Sequence, residues 1–259
     1  MVLRVVAAVT VLASVGMGRS WAQGPEQSEP AALRAELKKL ATTAQMLRDD
    51  LPSFTCQETA KSQLLRKKKV KEQVQYSGEV RVERVEQRRL MEQLQVTQVN
   101  GKPFAGGAFR APMKVQGGFG ESLFFFLPEI QPCFDFTLTG GRLDFATRPQ
   151  MLERPGCDVA GTRHGIALLD ADGNITHMER EVPPETASQF HLVDFNTIDF
   201  VSTELGGRAY PLSAKMTADV PADGEVKHFE ATYSGCHLYK ATVTILPGVA
   251  PVTGDEPHR

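Results

Sequence analysis

The stretch LPSFTC, Leu51 to Cys56, is where this chain changes its period. Upstream, Leu33, Leu37, Leu40, Ala44, Leu47 and Leu51 recur at spacings of three and four, which is one apolar stripe on a helix of about five turns. Ser28 is placed to cap its start, with Glu29 and Pro30 in the first turn. Pro52 stops the helix, because a residue before proline is pushed out of helical space. Downstream, Phe54, Cys56, Ala60, Ser62 and Leu64 share one parity, with polar residues mostly between them, as in a half-buried strand. A lone amphipathic helix must bury its stripe on something, and everything after Pro52 reads as strand. LPSFTC therefore marks an α+β chain, mainly antiparallel β, with an N-terminal amphipathic helix packed on the sheet.

The later strands announce themselves by their turns. Val80 to Val99 is long and polar-rich and ends at Asn100-Gly101. Phe134 to Leu138, Thr139-Gly140-Gly141 and Arg142 to Phe145 form a hairpin signature. Gly165–Leu169 and Ile175–Val182 flank Asp170-Ala171-Asp172-Gly173, and Phe195–Glu204 and Arg208–Thr217 flank Gly206-Gly207. Phe229–Tyr233 and Leu238–Leu246 close the series, with a bulge expected at Gly235. Sequential hairpins imply an antiparallel meander. A sheet of about nine to eleven such strands is expected to curl strongly, giving an incomplete β-barrel with the helix against or inside the curl.

The ends bound the compartment. A short basic start, MVLR, precedes the apolar run Val5 to Gly18, and Ser20-Trp21-Ala22 supplies small residues where a signal peptidase reads. That run falls short of the roughly 20 apolar residues of a membrane span. Residues 1–22 are expected to be a cleaved signal peptide, 23–29 a loose segment, 30–247 one domain and 248–259 a flexible tail. The expectation is a periplasmic or secreted monomer that does not span the membrane once the signal is removed. Four cysteines, an even number in an exported chain, favour disulfides. Between Gln23 and Arg110 there are 16 Lys+Arg against 11 Asp+Glu, a net of +5; from Ala111 onward there are 11 against 20, a net of −9. Two oppositely charged halves that can face each other explain this better than a nucleic-acid partner, since the basic residues alternate with Glu and Gln.

Motifs that would carry chemistry fail on inspection. Asp170, Asp172, Asn174 and Glu181 resemble part of a calcium loop, but Ile175 stands where glycine is needed and the flanks alternate as strands. The run Arg66-Lys67-Lys68-Lys69-Val70-Lys71 reads as a solvated strand tip, with lipid head groups as its functional alternative. The histidines at 164, 177, 191, 228, 237 and 258 are scattered, and Cys236-His237 would matter only if Cys236 were a free thiol. Ser122 lies outside a nucleophile elbow, Asp49-Asp50 form a solvated helix end, and no phosphate-binding glycine loop occurs. No enzyme activity, cofactor or metal is expected. Leu123-Phe124-Phe125-Phe126-Leu127-Pro128 is the most apolar stretch after the signal, read first as core. Its functional reading is that Leu123, Phe124 and Phe126, with Leu37, Leu40 and Leu47 of the helix, line an apolar cavity between sheet and helix.

The order of several weak motifs resembles a family of uncharacterised secreted bacterial proteins: LPSFTC after a helix, VNGKPF (Val99–Phe104), GGFGESL (Gly117–Leu123), DADG followed by MERE, FVSTELGGRAYPLSAKM (Phe200–Met216) and FEATYSGCHLYKATVTI (Phe229–Ile245). Together they cover most of the chain after the signal. The architecture this implies is similar to the lipoprotein-carrier fold of LolA and LolB, an incomplete antiparallel barrel with helices closing an apolar cavity. The resemblance implies a non-enzymatic carrier whose ligand is a lipid, an acyl chain or a lipid-modified protein. The competing expectation is an envelope interaction module with no cavity.

Four cysteines allow three pairings. Cys133 and Cys157 bracket the Phe134–Phe145 hairpin, and Cys56 and Cys236 lie in the first strand and near the last. The expected bonds are therefore Cys133–Cys157 and Cys56–Cys236. The second requires the bulge at Gly235, because Cys236 is out of step with Ala241, Val243 and Ile245.

Overall fold

Helix α1 spans Ala31–Asp50 and buries Leu33, Leu37, Leu40, Ala44 and Leu47, as expected from their spacing, together with Ala41. Pro30 stands at the N-cap, so the helix begins two residues later than the expected cap at Ser28. The computed structural model describes residues 30–239 except 87–88, 116–117, 121, 158–162, 184–194 and 223. The expected signal peptide, Ser28, Glu29, His191, His258, the strand continuation to Leu246 and the tail lie outside the described residues.

Leu51 is fully buried below the helix, and the next turn delivers the chain into the first strand. The strands are β1 (Phe54–Arg66), β2 (Lys69–Glu86), β3 (Arg89–Val99), β4 (Lys102–Pro103), β5 (Phe134–Thr139), β6 (Arg142–Thr147), β7 (His164–Leu169), β8 (Ile175–Glu181), β9 (Phe195–Leu205), β10 (Arg208–Ala222) and β11 (Glu225–Leu238). They form one antiparallel sheet in the order β4-β3-β2-β1-β11-β10-β9-β8-β7-β6-β5. It is a meander whose ends pair with each other, β1 on β11, while its middle is open between β4 and β5. A single cluster unites the helix stripe with inward residues of strands from both arms, among them Phe54, Val82, Leu143, Met178, Met216 and Phe229. The helix and inward residues from both arms of so long a sheet share one core only if the sheet curls, so the fold is an open half-barrel.

The turns explain the register. Asn100-Gly101, Gly140-Gly141 and Gly206-Gly207 have both central residues at positive φ, the hairpin geometry that suits the strand twist. Lys67 and Lys68 make the β1–β2 turn in the same region, at φ 47° and 63°, without a glycine. Gly235, at φ 61°, sits in a bulge: Thr55 pairs with His237 but Gln57 pairs with Ser234, so two β11 residues face Cys56. Cys236 is thereby turned toward Cys56, to which it is disulfide-bonded.

Residues 104–133 join the two edges of the sheet and cross its concave face. Phe109 packs on Tyr76 of β2, Met113 N donates to Ser62 Oγ of β1, Phe119 packs on Phe54 and Tyr233, and Phe126 meets Phe145 of β6. The C-terminal end of α1 is held from the sheet. The Arg84 guanidinium donates to the Leu51 and Arg48 carbonyls at 2.9–3.0 Å, and Tyr210 Oη donates to Asp50 O. Such donors satisfy carbonyls that a helix end leaves free.

Candidate functional site

Leu37, Leu40, Leu47, Leu123 and Phe126 are buried together in the main core, and Phe124 packs half-buried against it. The aromatic block folds as a short 3-10 turn, Phe124–Phe126, on α1. Phe125 stacks on Phe145 at 5.4 Å and meets Phe134 edge-on at 5.5 Å. Gln131 Nε2 donates to Leu37 O and Phe126 O, which ties helix to turn. Cys133–Cys157 closes the loop around β5 and β6, and no described cysteine is free.

A cavity of about 730 Å³ lies elsewhere on the concave face, between β1–β3 and the crossing segment. None of those six residues lines it. Its apolar walls include Val80, Leu94, Val96, Phe109, Met113 and Val115. Glu58, Tyr76 and Glu92 add polar groups, and Lys114 and Lys227 bring two cationic side chains to the same space. Depressions of about 380 Å³ are lined by charged groups of β5–β8 and by the Asp170 turn. That turn is self-contained: Asp170 accepts from Asp172 N, Asn174 N and Asn174 Nδ2, and these bonds hold its carboxyl below the ordinary range.

The cavity is built by the parity of three strands. Glu58 stands in the inward row of β1 with Phe54, Cys56, Ala60 and Ser62, and is only 3% exposed. Glu92 is opposite inward Val82, and Leu94 opposite inward Val80. Gly78 faces Glu58 across β1–β2 at a bulge where β3 approaches closely; a Cβ there would come within 2.3 Å of Gln95 O. Only glycine at 78 lets the β3 backbone pass this close to β2 beside Glu58.

Two polar atoms of this floor, Glu58 Oε1 and Tyr76 Oη, are buried without a hydrogen-bond partner among the described residues, as is Tyr233 Oη in the core nearby. Buried polar groups are ordinarily paired, so a cluster of unpaired ones needs a reason. Burial first, then the nearby Glu92 carboxylate, pushes the Glu58 carboxyl up to about 7. The Tyr76 hydroxyl, close but short of hydrogen-bond geometry, pulls in the other direction. Both phenols are raised, by burial and then by Glu58. Glu92 itself is anchored, accepting from Gly118 N and Phe119 N at 3.1 and 2.7 Å. Sequence reading passed over Glu58 and Glu92, although each shares the parity of its strand's apolar row.

Fold and site together define an open antiparallel half-barrel with a cavity under its crossing segment. No protein-family model matches the chain, and no curated protein matches it. Among solved structures it is similar to a LolA superfamily protein from Nitrosomonas europaea, at 9% identity over 80% of this chain and 94% of that one, with a TM-score of 0.39. It is also similar to a DUF1329 family protein from Desulfovibrio piger, at 11% identity over 82% and 94%, with a TM-score of 0.41. A domain described as an outer membrane lipoprotein-sorting protein, from Vibrio parahaemolyticus, matches at 11% identity over 76% and 90%, with a TM-score of 0.37. These likenesses bear on neither ligand nor activity.

Proposed function

We propose that this is a non-enzymatic, exported, monomeric protein that holds a hydrophobic ligand, a lipid or acyl chain, in the cavity, as a cell-envelope carrier or chaperone. The observation that carries the reading is the cavity of about 730 Å³ walled by Val80, Leu94, Val96, Phe109, Met113 and Val115. Its size falls within the roughly 300–1,000 Å³ of small-molecule sites. Apolar burial supplies roughly 0.8 kcal/mol per CH₂, against an association cost of several kcal/mol, so a medium-length chain would bind with a Kd on the order of 10–100 µM. Export is supported by the two disulfides and by the apolar N-terminal run read as a signal peptide. No helix of the described residues is long and apolar enough to cross a membrane. Binding rather than turnover is supported by the outward-facing histidines: His164, His177 and His228 pair with Glu181, Asp199 and Asp219 on the opposite face from the cavity.

The test is fluorescence titration with N-phenyl-1-naphthylamine, a neutral apolar dye, together with native mass spectrometry of protein purified from its host. Saturable 1:1 dye binding, weakened at least tenfold when Val115→Trp fills the cavity, is the expected result. Absence of both dye binding and co-purified lipid would sink the proposal.

A further inference from the structure

We infer that the cavity floor is a head-group site for a neutral, hydroxyl-bearing amphiphile, whose hydroxyl donates to Glu58 Oε1 and accepts from the Tyr76 phenol. This rests on the cavity being a ligand site and adds which end of the ligand enters it. The first support is the pair of unpaired atoms. Glu58 and Tyr76 both line the cavity, each only 3% exposed, and Glu58 Oε1 and Tyr76 Oη have no partner among the described residues. Leaving buried polar atoms unpaired is costly, whereas one ligand hydroxyl satisfies an acceptor and a donor at once.

Charge selects among head groups. A ligand carboxylate would bring a third negative charge beside Glu58 and Glu92 in a poorly solvated space. A ligand cation would share the cavity with Lys114 and Lys227. Lys114 Nζ sits 3.8 Å from the Phe109 ring centre, and that ring packs on Tyr76 at 5.1 Å, so a cationic group already stands one ring away from the floor. A hydroxyl avoids both repulsions. The crossing segment is pinned on both sides of the site, by Ser62 Oγ at Met113 and by Glu92 at Gly118 and Phe119. The floor is thereby preorganised, which limits what ordering costs on binding.

The experiment is displacement of N-phenyl-1-naphthylamine at pH 8 by three ligands with one chain length: 1-dodecanol, dodecanoate and dodecyltrimethylammonium. Wild type, Tyr76→Phe and Glu58→Gln are compared, with circular dichroism and dye affinity reporting that each variant is folded. Dodecanol is expected to bind about tenfold tighter than either charged ligand, and Tyr76→Phe to weaken dodecanol about tenfold relative to the dye measured on the same variant. Glu58→Gln removes the repulsion, so dodecanoate should gain about tenfold, a change that damage to the fold would not produce. Equal displacement by all three ligands, or a ranking unchanged in both variants, overturns the head-group inference while leaving the cavity reading intact. If neither the dye nor any chain binds, both fall.

Discussion

Glu58 gives a prediction with a definite sign. Its carboxyl sits in the inward row of β1, against Tyr76 of β2, Glu92 of β3 and Tyr233 of β11, with Lys114 and Lys227 lining the same cavity. Burial holds its folded pKa at about 7, against 4.5 when exposed. Between those values the folded protein binds a proton that the unfolded chain has released, so stability falls as pH rises through this window. The full loss is the pKa difference times 1.36 kcal/mol, or about 3 kcal/mol once pH exceeds the folded value. Glu58→Gln keeps the shape and cannot ionise. Urea unfolding at pH 4.5 and pH 8 should therefore show the variant gaining about 3 kcal/mol on wild type between the two conditions. An equal difference between variant and wild type at both pH values would refute the burial and the coupling to Glu92 that produce the shift.

Arg84→Ala removes the donors that hold the Arg48 and Leu51 carbonyls at the helix end; it should cost about 2–3 kcal/mol and lower Tm by roughly 5–10 °C in a thermal scan. Replacing both members of Cys56–Cys236, which closes 180 residues, should cost up to about 5 kcal/mol, and of Cys133–Cys157, which closes 24, up to about 3 kcal/mol, read from chemical unfolding. Burial lowers the His177 pKa, but hydrogen bonds to Asp199 and Glu179 outweigh it, and the net shift is upward. Its contribution is complete below the ordinary value of 6.5 and is lost as pH rises past the raised one, so His177→Gln should destabilise by under about 1 kcal/mol at pH 5.5 and by less at pH 8.5.

Local signals in the sequence carried far. The leucine stripe and Pro52 delimit α1, and paired turn residues such as Gly140-Gly141 and Gly206-Gly207 mark hairpins because only a few residue types tolerate positive φ in succession. The polar strands 80–99 were legible as strands but not as a wall. Arg81 and Glu83 alternate with the inward Val80 and Val82, and Leu94 and Val96 continue the row on β3 beside Glu92, a pattern that average polarity conceals. What stayed hidden was non-local. Pairing of β1 with β11 leaves the opening between β4 and β5, so residues 104–133 cross the concave face; no local period encodes that path. For the same reason the Phe124–Phe126 block became core beneath α1, and the cavity formed where Phe109 to Val115 pass over β1–β3. Glu58 could have been noticed as the one carboxylate in the inward row of β1, a position a sheet rarely gives to a charge without a use.

Methyl NMR on protein with labelled Leu, Val and Met methyl groups, titrated with 1-dodecanol, locates the ligand most directly. Saturable shifts are predicted at Val80, Leu94, Val96, Met113 and Val115, with Leu37, Leu40, Leu47 and Leu123 in the solid core unmoved. Shifts confined to the helix and the aromatic block, or no saturable shift at any methyl, would contradict a binding site beneath the crossing segment.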